Sequence, residues 1–292
     1  MTATARDLSS GKGHTDENFP VASMLIARKH RPAIMAFYAF ARAADDVADN
    51  TGVAADTKLA LLEDMKQTLL SHSDSSVEAL SLRKTLADHA LTNQHALDLL
   101  EAFRRDVTKL RYANWADLMD YCRYSAMPVG RFVLDVHGES RNLWPMNDAL
   151  CAALQIVNHL QDCGKDYAGL NRVYIPADFM HEAGIDEASL AKPKASLSLQ
   201  SVIIGLAHRT QGLLEVSRPF AGAIRDRRLA LEVSVIQTLA EDLTRRLTMR
   251  DPLSERVHHT RGEMPGLMMK ALAGFTVARF RSARPAPNEA SR

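Results

Sequence analysis

A helical hydrophobic repeat constrains this chain more than any other feature, running almost unbroken from Pro32 to about residue 281. Apolar residues recur at three- and four-residue spacing in segments rich in Ala, Leu and Met. No run keeps the two-residue alternation that a half-buried strand needs. Pro32 suits the first turn of a helix, where its missing N–H costs nothing. Helices are expected over 54–72, 76–90 and 93–110. A long helix should run from Asn114 to about His137, bent at Pro128, and another over 147–168, ending near Gly169. The stretch Asn171–Pro176 should be extended, because residues before proline avoid the α region. Residues 184–196 read as a loop, followed by helices over 197–218, 222–250 and 263–281. No Pro/Gly/Ser-rich linker or internal repeat divides the pattern. The expected architecture is therefore all-α: one helical bundle around a central cavity over 16–282, with flexible ends at 1–15 and 283–292.

Composition closes off several classes of function. The net charge is only +1, so there is no overall pull toward nucleic acid. Three cysteines, Cys122, Cys151 and Cys163, have no CxxC spacing and read as reduced thiols rather than a disulfide framework. No segment approaches the roughly 20 apolar residues of a membrane span, and the polar N-terminus lacks a signal-peptide core. A cytoplasmic protein is expected. Peripheral membrane contact is left open, with Arg245, Arg246, Arg250, Arg256 and Arg261 as the basic groups that would support it.

Two acidic pairs carry the chemistry. Asp45 and Asp49 are one helical turn apart, so both project from one face, with Arg42 and Tyr38 on the same stripe. Asp46 points about 100° aside. The second stripe is Gln155, Asn158, Asp162 and Asp166, on a helix otherwise rich in Ala, Leu, Ile and Val. One such pair alone would read as a solvated face. Like charges one turn apart repel unless a cation sits between them. Magnesium takes oxygen ligands and is usually held by one or two carboxylates together with substrate phosphates. Two such helices face to face could hold magnesium around a diphosphate and make it a good leaving group. The rest of the wall would then have to be apolar, to keep water from quenching the cation early.

These motifs resemble the squalene/phytoene synthase family. FYAFARAADDVAD is similar to that family's first aspartate-rich motif, and QIVNHLQDCGKDYAGLNRVYIP to its second. The resemblance covers the layout of roughly residues 17–280. It implies that Asp45, Asp49, Asn158, Asp162 and Asp166 hold magnesium, and that Arg42, Gln155, Arg172 and Tyr174 contact a prenyl diphosphate. Three further stretches point to the branch in which presqualene diphosphate loses diphosphate and water captures the rearranged cation. ENFPVAS, with Phe19 as a substrate contact, is one. YCRYSAMPVG, with Tyr121 and Tyr124, is the second. The third is NHLQD, with Gln161 where the broader family usually has arginine. The resemblance also implies neighbouring pathway enzymes as partners. Asp16 and Asn18 stand where dehydrosqualene-forming relatives carry serines, so phosphate ligands are not carried over there. No tyrosine follows Tyr174, and the last third of the chain matches least well. The alternatives are head-to-head condensation of farnesyl diphosphate and, in another class, a non-catalytic assembly factor with the same fold.

Several residues have an ordinary reading beside the functional one. Tyr38, Tyr121 and Tyr124 could guide the diphosphate, move a proton or stabilise a cation through their rings. Tyr124 reads equally as a core aromatic with a satisfied hydroxyl, and for Tyr121 that reading comes first. Ser125 could bond back to its own helix. Pro128 and Gly130 suggest a bend and a close approach. Gln161 could hold water, or simply bond to the next helix. Arg172 could reach a phosphate oxygen or form a loop ion pair. His258 and His259 lack zinc spacing and read as part of a solvated basic segment. No P-loop, GxGxxG or HExxH is present.

Overall fold

The computed structural model describes residues 26–282. Among these residues the regular structure is helical throughout. In chain order the α-helices are α1 (Arg31–Asp49), α2 (Ala55–Leu69), α3 (Val77–Asp88), α4 (Gln94–Thr108), α5 (Trp115–Ser125), α6 (Met127–Val136), α7 (Trp144–Leu170), α8 (Ala177–Glu182), α9 (Leu197–Ser217), α10 (Phe220–Ala223), α11 (Arg227–Leu247) and α12 (Met264–Ser282). The terminal segments expected to be flexible, together with Asp16, Asn18 and Phe19 of ENFPVAS, lie outside the described residues.

The helices bury amphipathic stripes in adjoining clusters. One cluster gathers Phe37, Phe40, Val47, Leu62, Leu82, Leu99 and Phe132 from α1, α2, α3, α4 and α6. A second joins α5, α7, α9 and α11 through Tyr121, Ile156, Leu160, Ile203 and Leu243. A third, including Leu134, Leu150, Phe220, Leu229 and Val233, closes the bundle between α6, α7, α10 and α11. The long α7 packs on α5, α6, α9 and α11, so its polar stripe is held from several sides.

Several local outcomes differ from the sequence reading, among them a helix expected over 222–250 that is divided into α10 and α11. The expected Asn114–His137 helix is two helices. Its break comes at Ala126, with φ −121° and ψ −48°, and Pro128 sits in the first turn of α6 rather than at a bend. Proline is tolerated there because the first N–H groups of a helix have no internal partner. The helix expected over 147–168 starts earlier, at Trp144, and runs past Gly169 to Leu170, where Asn171 adopts the left-handed conformation at φ 53°. Asparagine visits that region more readily than most residues. The 184–196 loop contains a 3-10 turn at Glu187–Ala191.

The segment expected to be extended from Asn171 to Pro176 is so only after the left-handed Asn171, and it lies against 110–113. Val173 N–H donates to the Leu110 carbonyl at 3.0 Å, and Ala177 N–H to the Tyr112 carbonyl at 2.9 Å. Gly130 marks the tightest α6–α7 approach. A Cβ there would lie 2.0 Å from Asn147 Oδ1 and 2.7 Å from Cys151 Sγ. The close approach expected at Gly130 is thus present.

Candidate active site

The site begins where α7 ends. The left-handed turn at Asn171 sends Arg172 back toward α1, with its backbone N–H donating to the Asp166 carbonyl at 3.1 Å. The Arg172 guanidinium is buried. It donates to Asp49 Oδ1 at 2.5 Å, to the Ala48 carbonyl at 3.2 Å and to the Asp106 carbonyl at 3.1 Å. One cation therefore joins the first acidic motif, α4 and the end of the second motif.

Asp106 lies beneath this arginine. Tyr121 and Tyr174 donate their hydroxyls to its two carboxylate oxygens at 3.0 and 3.1 Å. Burial pushes the Asp106 carboxyl up to about 6, while Arg172 pulls the other way. His159 stacks on Tyr174 with ring centroids 3.4 Å apart. Burial, then Arg172, pushes the His159 ring down to about 3. The imidazole is thus neutral and accepts from Gln155 Nε2 at 3.0 Å.

The acidic stripes are held under electrostatic stress. Burial, then Asp49, pushes Asp45 up to about 7, against the pull of Arg42. Burial, then Asp162, pushes Asp166 up to about 7, and Asp49 on α1 adds to that push. The two stripes therefore act on each other across the site. Arg42 bridges Asp45 at 3.0 Å and Asp46 at 2.9 Å. Lys165 pairs with Asp162 at 2.8 Å. Asp46, aside from the stripe, is buried against Arg42.

Beside α1 a cavity of about 400 Å³ runs into the bundle. Tyr38, Arg42 and Asp45 line it, and its wall includes Phe37, Phe132, Leu134, Leu150 and Val233. A polar group of acids and a cation thus adjoins an apolar hollow.

The sequence profile of the squalene/phytoene synthase family matches residues 12–263. The hydroxysqualene synthase of Zymomonas mobilis is 60% identical over 272 residues, covering 92% of each chain. The chain belongs to the squalene/phytoene synthase family. Its fold matches the crystal structure of squalene synthase HpnC from Alicyclobacillus acidocaldarius with a TM-score of 0.70, at 32% identity over 82% of this chain and 90% of that one. A dehydrosqualene synthase crystal structure matches with a TM-score of 0.75 over 94% of this chain and 96% of that one, at 19% identity.

With the family in hand, the expected site residues sort by position. Asp45, Asp49, Asp166, Arg172 and Tyr174 are tied together by the charges and hydrogen bonds above, and Asp162 and Gln155 lie on the same stripe of α7. Asn158 is half-buried on that stripe. Tyr38 reaches the cavity. Tyr121 is a buried aromatic with a satisfied hydroxyl. Tyr124 is half-buried under the Arg105 guanidinium, 4.3 Å from its ring centroid.

Other expectations are corrected. Gln161 forms no bond to a neighbouring helix: both its amide atoms are buried without a partner. It lines a separate polar recess with Lys165, Arg256 and His258. Ser125 Oγ does not bond back to its helix and is also buried unpaired. His259 is not solvated, because its Nε2 lies 3.0 Å from Asp242 Oδ2. Arg245 and Arg246 are engaged with the same Asp242 at 2.6 and 2.7 Å, so two of the five arginines counted for a basic surface are already paired.

The sequence reading missed Asp106 and His159. A signal for each was present. Asp106 falls on the buried stripe of α4 with Leu99 and Ala102, where an unpaired acid would be costly. His159 lies one turn after Gln155 and three residues before Asp162, on the polar side of α7.

Proposed function

We propose that this protein is a hydroxysqualene synthase. It ionises presqualene diphosphate, and water captures the rearranged cation to give hydroxysqualene and diphosphate. The observation that carries the ionisation chemistry is the junction of an apolar cavity with two mutually repelling acidic stripes. The choice of branch is supported by the likeness to the Zymomonas mobilis enzyme over nearly the whole chain.

The donor set fits magnesium. Asp45, Asp49, Asn158, Asp162 and Asp166 offer only oxygen, as this hard cation prefers. Carboxyls pushed up to about 7 by burial and by each other are the groups a cation would relieve. When bound, magnesium neutralises the diphosphate and improves it as a leaving group.

The chain's own residues do the rest. Arg42 and Arg172 add positive charge where diphosphate departs, and Gln155 donates from the α7 stripe. Tyr121 and Tyr174 fix Asp106, and through its backbone carbonyl the Arg172 anchor. Tyr38 holds the substrate at the cavity lining, and Tyr124 stands on α5 as the proton-handling hydroxyl. The walls of Phe37, Phe132, Leu134 and Leu150 enclose the prenyl chains and delay water until rearrangement is complete. Gln161, behind Asp162, opens on the polar recess and not on the apolar cavity, so any water that its amide holds belongs to that recess. Incubation with presqualene diphosphate, and separately with farnesyl diphosphate, tests the reading. Hydroxysqualene from the first and no product from the second is expected. Consumption of farnesyl diphosphate alone would make the enzyme a condensing synthase instead.

No helix among the described residues is long and apolar enough to cross a membrane. Peripheral contact is supported by Met269 and Leu272, exposed on α12, beside the exposed Arg261 and Lys270. Salt-reversible retention on anionic vesicles checks it; equal retention at low and high salt would remove the electrostatic part.

A further inference from the structure

A second group of potential ligands lies apart from the acidic stripes. His30 precedes α1, His137 caps the C-terminal end of α6, and Asp226 caps the N-terminal end of α11. Three segments far apart in the chain thus converge, and one ligand atom from each lies within 4.8 Å of the others. All three side chains are half-buried, so the cluster is shielded yet open to an entering ion. We propose that His30, His137 and Asp226 form a zinc site outside the reaction centre.

The chemistry of the donors selects the ion. Two imidazole nitrogens and one carboxylate suit zinc, with water free to fill a fourth position. The same set is poor for magnesium, which favours oxygen throughout. The orientation of the ligands is already set. His137 Nδ1 lies 2.8 Å from the Val133 carbonyl. A carbonyl only accepts, so Nδ1 carries the proton and Nε2 keeps its lone pair. Ligating histidines are commonly held by this kind of bond from the other ring nitrogen. Asp226 Oδ1 accepts from the backbone N–H groups of Arg228 and Leu229 at 2.8 and 3.0 Å, which fixes the carboxylate.

The protonation states agree with this geometry. The His30 and His137 rings have centroids 4.2 Å apart. Burial, then His137, lowers the His30 pKa, which keeps that ring neutral and able to ligate. Burial pushes Asp226 upward, but the two backbone bonds, together with His137 and His30, outweigh it and lower its pKa. Without a metal the cluster would be an ordinary His–Asp contact joining helix ends, and that is the alternative the experiment must exclude.

Occupation would have a structural consequence. Ile34 of α1, Val133 and Leu134 of α6, and Leu229 and Val233 of α11 all line the apolar cavity. A metal tying these three helices together stiffens that wall without touching the reacting atoms.

The test uses the full chain, stripped with chelator and returned to magnesium buffer, titrated with zinc chloride and followed by calorimetry and thermal melting. One zinc per chain and a raised melting temperature are expected, since a ligand of the native state stabilises it. His30→Gln and His137→Gln should each weaken zinc by more than the roughly tenfold that loss of even an outer-shell partner costs, whereas Asp162→Asn should retain it. His30 makes no side-chain capping bond, so His30→Gln decides the matter even if His137→Gln fails to fold. Cobalt should give the intense visible bands of a tetrahedral site in the parent and lose them in His30→Gln. No zinc binding in the parent, equal binding in His30→Gln, or loss only in Asp162→Asn would overturn the proposal.

Discussion

Arg172 concentrates the residue-scale argument. It is buried, always charged, and bonded at once to Asp49, Ala48 and Asp106. Its role as an ion pair was visible in the sequence only as one of two alternatives, because Asp49 is 123 positions away. If the stripes hold magnesium, Asp49→Asn or Asp162→Asn should abolish turnover while leaving helical circular dichroism intact. Full activity in both variants would contradict that. A second test rests on protonation. Asp45 is pushed up to about 7, above its ordinary 3.8, by burial and then by Asp49. The native state thus binds a proton more tightly than the unfolded chain does. The stability from this group is fully present below about pH 4 and is lost as pH rises through about pH 7. Metal-free Asp45→Asn should therefore gain in melting temperature over the parent as pH rises across that window, and excess magnesium should shrink the gain. A difference that stays flat or falls with pH would count against a stressed carboxylate. The acids of the two motifs were legible because their spacing is local. Asp106 and His159 were not, because their meaning comes from partners on other helices.

At the scale of elements, the α6–α7 contact shapes one side of the cavity. Gly130 lets the helices meet, and the Asn147 and Cys151 side chains occupy the space its side chain would need. Asn147 is almost fully buried and donates to the Met127 carbonyl at 3.4 Å, so it has little room to retreat. Gly130→Ala, which in an open helix would be favourable, should instead cost about 1–3 kcal/mol through overpacking. Chemical denaturation would show it as a lower midpoint, and an unchanged or raised midpoint would mean that the helices part easily. Helix positions were largely legible from the 3.6-residue repeat. The ends were less so, since they depend on single backbone conformations: the break at Ala126 and the left-handed Asn171. The short α8 was missed because six residues are too few to show a period.

At the scale of the whole molecule, one fold places a greasy hollow beside two acidic stripes, and the family resemblance visible in those stripes agrees with the matched profile and relatives. What repeat and spacing could not reveal was how the charges offset one another through Arg172, nor that Gln161 would be buried with no partner at all. The central claim is that water, rather than hydride or a second prenyl diphosphate, ends the reaction. It is tested most directly by supplying presqualene diphosphate in ¹⁸O-labelled water, with and without NADPH, and measuring the mass of the product. The account predicts ¹⁸O-labelled hydroxysqualene in both tubes; squalene formed only in the tube with NADPH would contradict it.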